Sequence, residues 1–141
     1  MKVEQILQSK GAQVFAVSGD TKIAEAVRIL NDKNIGAVVV KNGRDVAGIL
    51  SERDIVRQLK QDGGAALERP VSACMTKDIF VCGLDTPIDE LMAQMTERRI
   101  RHIPVVENGA LVGLVSIGDV VKRKIQSAEQ EAAALRDYIA S

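Results

Sequence analysis

Residues 15–56 of the chain match residues 80–121 without a gap, at a constant offset of 65. Phe15 falls on Phe80, Asp20 on Asp85, Thr21 on Thr86, Ile23 on Ile88 and Glu25 on Glu90. Ile35 meets Ile100, Val40 meets Val105, Gly48 meets Gly113, Ser51 meets Ser116, Asp54 meets Asp119 and Val56 meets Val121. Such a match means that one supersecondary unit is built twice. Each unit alone is too small to bury much apolar surface, so the two must pack together about a pseudo-twofold axis.

Each unit reads as strand, helix, strand, strand, helix, which places the chain in the α+β class. Residues 14–17 and 79–82 form short apolar strands. Asp20-Thr21 and Asp85-Thr86 then open helices. Ile23, Ala26, Val27 and Leu30 recur at helical spacing in one, and Ile88, Leu91, Met92 and Met95 in the other. Residues 37–40 and 46–50 form a hairpin around Asn42-Gly43, and residues 102–106 and 111–115 form one around Asn108-Gly109. Closing helices start at Ser51 and Ser116.

The expected division is a first repeat at 1–60, a linker at 61–72, a second repeat at 73–126 and a helical extension at 127–141. Residues 3–7 form a lead-in helix docked on the repeats. Asp62-Gly63-Gly64 ends the first repeat, and Pro70 prevents the helix from resuming. Along the second closing helix and its extension Val121, Ile125, Ala128, Ala132, Leu135 and Ile139 alternate in steps of four and three, a coiled-coil-like stripe. It either lies across its own domain or joins two chains. Self-association into a homodimer or larger assembly is the expectation, because the helix overhangs a small body.

The formal net charge is zero, aromatic residues make up 2%, and Trp is absent. A general nucleic-acid or membrane-surface binder needs a basic excess, and a single-strand binder needs stacking rings. Cys74 and Cys82 form no CxxC pair and have no neighbouring His to complete a metal set. They read as buried thiols in a reducing compartment. The opening MKVEQILQSK has no apolar signal core and no run reaches membrane-spanning length, so the expected location is cytoplasmic.

The chemistry concentrates where a strand enters a helix: Ser51-Glu52-Arg53-Asp54 and Ser116-Ile117-Gly118-Asp119. Ser three residues before an acid is also a capping box, and once only it would be read as a cap. It occurs twice at equivalent positions. Helix N-terminal amides attract phosphate. An ionised carboxylate only accepts hydrogen bonds, so it repels phosphate and suits a vicinal diol. A nucleotide carries both groups. With no aromatic ring assigned to the site, its base would lie between aliphatic strands.

The runs IGAVVVKNGRDVAGILSERDIV and IRHIPVVENGALVGLVSIGDVV, with the doubled Ser-x-x-Asp, resemble the tandem cystathionine-β-synthase (CBS) domain pair, or Bateman module. The resemblance implies two clefts that bind AMP, ADP, ATP, S-adenosylmethionine or NAD(H), and modules that pair into a disc. Carried over by position, Asp54 and Asp119 hold ribose, and Ser51 and Ser116 face phosphate. Gln13, Val14, Asp78 and Ile79 line the adenine, as do Gly36, Ala37 and Val38 and the run Arg101, His102, Ile103 and Pro104. Arg53 and Arg101 are candidate phosphate contacts; for Arg53 the rival is a surface pair with Glu52. His102 reads as a ligand neighbour or a packed residue, not a general base. The two sites differ around the motif, which implies different preferences, such as mononucleotide against dinucleotide.

The leading expectation is an adenine-nucleotide sensor that signals to an unidentified regulated protein by a change in packing. The ligand is regulatory; no catalytic cofactor or metal is expected. The alternative is a ligand-free dimerisation or protein-interaction module. CBS pairs also ride on enzymes such as IMP dehydrogenase, but a barrel of about 250 residues does not fit here.

Overall fold

The computed structural model describes residues 1–141. The elements run α1 (Val3–Lys10), β1 (Ala16–Ser18), α2 (Ile23–Lys33), β2 (Ala37–Asn42), β3 (Asp45–Ser51), α3 (Glu52–Asp62), α4 (Ile88–Arg98), β4 (His102–Glu107), β5 (Ala110–Ser116) and α5 (Ile117–Ala140). Two short 3-10 turns, Gly63–Glu68 and Val71–Ala73, join the halves. The fold is α+β, with sheets β1-β2-β3 and β4-β5. The repeat is kept to the level of register. Ala37 pairs Ser51 as His102 pairs Ser116, and the register shifts at Val40/Lys41 and at Val105/Val106.

The first strands differ from expectation. β1 starts two residues late, at Ala16, and runs parallel to β2. Its counterpart shrinks to one parallel bridge from Cys82 to Val105. The next amides are drawn to side chains: Gly83 N–H donates to Thr86 Oγ1 (3.0 Å) and Leu84 N–H to Glu107 Oε1 (2.6 Å). The chain therefore turns away from the sheet. The same competition delays both helices, which start after Lys22 and Pro87. Asp20 accepts from the Ser18 hydroxyl, and Thr86 closes a turn, so the Asp-Thr pairs shape turns rather than caps.

The hairpin tips are also unlike. In the second, Asn108 and Gly109 are the two loop residues, both with positive φ (51° and 78°), as a type I′ turn requires. In the first, Asn42 still pairs with Asp45, and the tip is Gly43-Arg44. Only Gly43 has positive φ there (63°), so one glycine at the leading loop position makes that turn.

Two apolar cores form, and the chain crosses between them. Ile23, Ala26, Leu30, Val38, Val40, Leu50 and Ile55 pack with Val71 from the joint. Ile88, Leu91, Met95, Ile103, Val105, Val115 and Val120 pack with Val3, Ile6 and Leu7 of α1. The lead-in helix thus completes the core of the second repeat. Backbone bonds Val3 N to Thr86 O and Ile88 N to Met1 O (both 3.0 Å) fix it there. The joint does the same for the first repeat, where Thr76 exchanges bonds of 3.0 and 2.8 Å with Ile49. Neither core is complete without chain from outside its own repeat.

α5 extends about 36 Å at the usual rise. Along its stripe Val121 and Ile125 are exposed, and Leu135 and Ile139 are 60% and 73% exposed. The helix leaves its own domain rather than lying across it. No helix is long and apolar enough to cross a membrane.

Candidate functional site

Ser51 ends β3 in extended conformation (φ −106°, ψ 166°) and caps α3. Its Oγ accepts from the Asp54 amide (3.3 Å), while Asp54 Oδ2 accepts from the Ser51 amide (2.9 Å) and hydroxyl (3.1 Å). Ser116 and Asp119 build the same box at α5, with bonds of 2.9 and 3.2 Å. The plain capping function is therefore met at both sites, and it consumes groups assigned above to phosphate. The Ser51 hydroxyl is engaged, and the Glu52 amide donates to Gly36 O (3.1 Å). The α3 N-terminus is thus a largely satisfied helix end rather than an open row of donors.

The further partners of the two carboxylates separate the two sites. Asp54 is 4% exposed, yet it lines a cavity of about 350 Å³ between the repeats. Its Oδ1 accepts from the Thr76 hydroxyl (3.1 Å) and makes a long contact with Arg57 (3.4 Å). An ionised carboxylate has about four acceptor positions, and Arg57 is an exposed side chain able to swing away. Asp119 instead takes the ammonium of Lys10 on Oδ2 at 2.7 Å. Lys10 also donates to Leu114 O (2.8 Å), so the end of α1 plugs the pseudo-equivalent position. Ser116 and Asp119 line neither this cavity nor the one beside it.

Burial pushes the Asp119 carboxyl up, but the Lys10 ammonium and the Ser116 amide outweigh it and hold it below the ordinary value of 3.8. A depressed folded value adds stability above the unfolded pKa, lost as pH falls through the folded value. Lys10→Met should cost on the order of 1 kcal/mol at pH 7 and move the acid limb of unfolding to higher pH. Circular dichroism melts between pH 3 and 7 check this; superimposable acid limbs would refute the pair's role.

The Asp54 cavity also gathers Gly36, Ser51, Arg53, Asp78, Ile79, Arg101 and His102 of the expected residues. Ala37, Val38 and Ile103 are instead buried in the fold, as is Pro104. Val38 of β2 and Ile103 of β4 point into the two cores, whereas their neighbours Ala37 and Pro104 are buried outside them. Gln13 and Val14 precede β1 and line neither cavity. The expected set thus divides, with residues of both repeats meeting at one cavity.

Sequence reasoning missed Ile49, Glu52, Arg57, Thr76, Phe80, Arg99 and Ile100 on the same wall. Phe80 corrects the expectation that no ring is at hand, and Arg98 lies over it at 5.0 Å from the ring centroid. Its match to Phe15 was the available signal. Thr76 could not be found by motif, because the sheet bridge to Ile49 carries it there. Four arginines face three carboxylates, those of Glu52, Asp54 and Asp78. Burial pushes the imidazole of His102 below 6.5; Asp119 and Glu52 oppose this, while Lys10 and Arg101 reinforce it. His102 is thus mainly neutral at pH 7 where it lines the cavity.

The CBS domain model matches residues 3–61 and 71–125. A crystal structure of a CBS-domain-containing protein from Agrobacterium tumefaciens is 44% identical, with a TM-score of 0.85, covering 88% of this chain and 99% of that one. The mitochondrial CBS domain-containing protein CBSX3 of Arabidopsis thaliana is 33% identical over 97% of this chain and 71% of its own length. The CBS domain pair of protein MJ0100, solved with 5′-methylthioadenosine and S-adenosyl-L-methionine, shares the fold at 23% identity and a TM-score of 0.80, covering 90% of this chain and 98% of that one. With both repeats matched and their register duplicated, the chain belongs to the CBS-domain family.

Proposed function

We propose that the protein is a regulatory module that binds an adenine nucleotide in the cavity between its repeats. The observation that carries this reading is the Asp54 carboxylate, an acceptor on the wall of a cavity otherwise rich in arginine. A ribose hydroxyl bonds to Asp54 Oδ1 by displacing Arg57, the base packs among Ile49, Ile79, Ile100 and Phe80, and phosphate turns toward the arginines. AMP, ADP, ATP and NAD(H) share these parts. S-adenosylmethionine shares the adenosine but brings a sulfonium cation toward the arginines, which disfavours it here. The ligand pair bound by MJ0100 supports the capacity of this fold for adenosyl groups.

Both repeats supply walls, so a ligand stabilises one packing of the halves over others. A second packing preference, between chains through α5, is the route by which the change is read. At a hundred times its Kd the ligand should stabilise the fold by about 2.7 kcal/mol. A thermal-shift series with AMP, ADP, ATP, NADH and S-adenosylmethionine on well-folded protein tests this; no shift with any of them ends the proposal. The exposed stripe of α5 favours a second reading, an interaction module with no metabolite, in which Ser51 and Asp54 are only a cap.

A further inference from the structure

We infer that Arg53, Arg99 and Arg101 form a polyphosphate grip, which selects ligands carrying two or more linked phosphates over a monophosphate. The inference deepens the nucleotide reading and rests on it for the adenosine end alone.

The three arginines are shared by two adjoining cavities. One is the Asp54 cavity; the other, of about 310 Å³, is lined by Arg53, Arg99 and Arg101 with Met95, Thr96, Ile100 and Ile117. The second cavity has no acidic residue on its wall. None of the three guanidinium groups takes part in a salt bridge, whereas Arg28, Arg57 and Arg69 all do. Three guanidinium groups that share these walls, none in ion-pair contact with a carboxylate, repel one another, and a multivalent anion relieves this best. The other expected phosphate donors are occupied, since the Ser51 hydroxyl and Glu52 amide already bond within the protein. Anion recognition therefore falls to side chains, which reach across more than one phosphate.

Arg99 adds an independent sign. It ends α4 in the left-handed region at φ 55°, as Asn34 ends α2 at φ 53°. Asn tolerates that region because its short side chain bonds locally; Arg has no such compensation. The second repeat thus places a long cation where the backbone prefers Asn or Gly, and it does so at the junction of the cavities. Strain of this kind is characteristic of ligand sites. The adenosine lies in the Asp54 cavity, and the phosphate chain crosses the arginines toward the second cavity.

The test is calorimetric titration of the intact protein, without added metal, with adenosine, AMP, ADP, ATP, NAD and sodium tripolyphosphate. Affinity should rise with each phosphate, ATP binding at least about tenfold tighter than AMP, and tripolyphosphate alone should bind. Arg99→Asn should weaken ATP at least tenfold, leave adenosine within twofold, and raise the Tm of the free protein. Arg53→Gln should weaken ATP without that rise in Tm. NAD, which carries two linked phosphates, should gain over AMP as ADP does. Equal binding of AMP and ATP, or an unchanged ATP affinity in Arg99→Asn, overturns the grip while the nucleotide reading stands. Tripolyphosphate binding with no adenine compound bound keeps the grip and removes the nucleotide reading.

Discussion

Asp54→Ala is expected to weaken adenine-nucleotide binding by about 10- to 100-fold while the protein still folds. One charge-assisted bond to a ribose hydroxyl contributes about 1.5–3 kcal/mol when well made, and it vanishes with the carboxylate. The same change strips the capping box and leaves the Ser51 amide and Thr76 hydroxyl without their acceptor. Stability should fall by about 1–3 kcal/mol, the scale of a lost cap or unsatisfied donor. Asp54→Asn separates the effects. Its amide oxygen can still accept at the cap, but its NH₂ group cannot accept from the ribose hydroxyl, so binding falls and the fold is nearly spared. Calorimetric titration beside urea unfolding measures both. Wild-type affinity in Asp54→Ala would leave the Ser-x-x-Asp unit as a cap alone and favour the interaction-module reading.

Gly48→Ala should be among the most destabilising single-methyl additions available to this chain. A Cβ at Gly48 would stand 2.5 Å from the backbone oxygen of Thr76 and 2.9 Å from Met75 Sδ. Neither strand can retreat cheaply, because Ile49 and Thr76 exchange two backbone bonds next to the contact. Overpacking of this kind costs about 1–3 kcal/mol or more, and backbone contact puts Gly48 at the upper end. The lesion also moves Thr76, whose hydroxyl holds Asp54, so nucleotide binding should weaken at a residue outside the cavity. Gly113→Ala is the control. Its Cβ would meet the two methyls of Leu7 at 2.7 and 2.8 Å, the far end of a flexible side chain. Urea midpoints should therefore rank wild type above Gly113→Ala above Gly48→Ala. Equal losses at the two glycines would mean that the Thr76 bridge contributes little.

Much of the fold was legible because hydrophobic period and turn chemistry are local. The helical spacing of Ile23, Ala26 and Leu30 placed α2, and Asn42-Gly43 between two apolar runs placed a hairpin. The offset of 65 predicted a duplicated register and the structure keeps it, bulges included. Boundaries failed where side chains competed with the backbone. Thr86 and Glu107 take amides that a first strand would have paired, and Asp20 serves a turn. The Ser-x-x-Asp motif was equally ambiguous, since one geometry serves as a cap and as an acceptor.

By itself the sequence determined that two like units exist, that each brings a serine–aspartate helix entrance, and that the closing helix carries an apolar stripe. These follow from residue type and spacing within a few turns of chain. The residues around the motif already implied two unlike sites; only the tertiary structure decided how the two entrances differ. Chain crossing places Thr76 on Asp54 and Lys10 on Asp119, a hydroxyl beside an open cavity and an ammonium in a filled one. It likewise brought Arg53 together with Arg99 and Arg101. The physical reason is that each of these contacts joins segments distant along the chain, and their meeting depends on how the two cores pack.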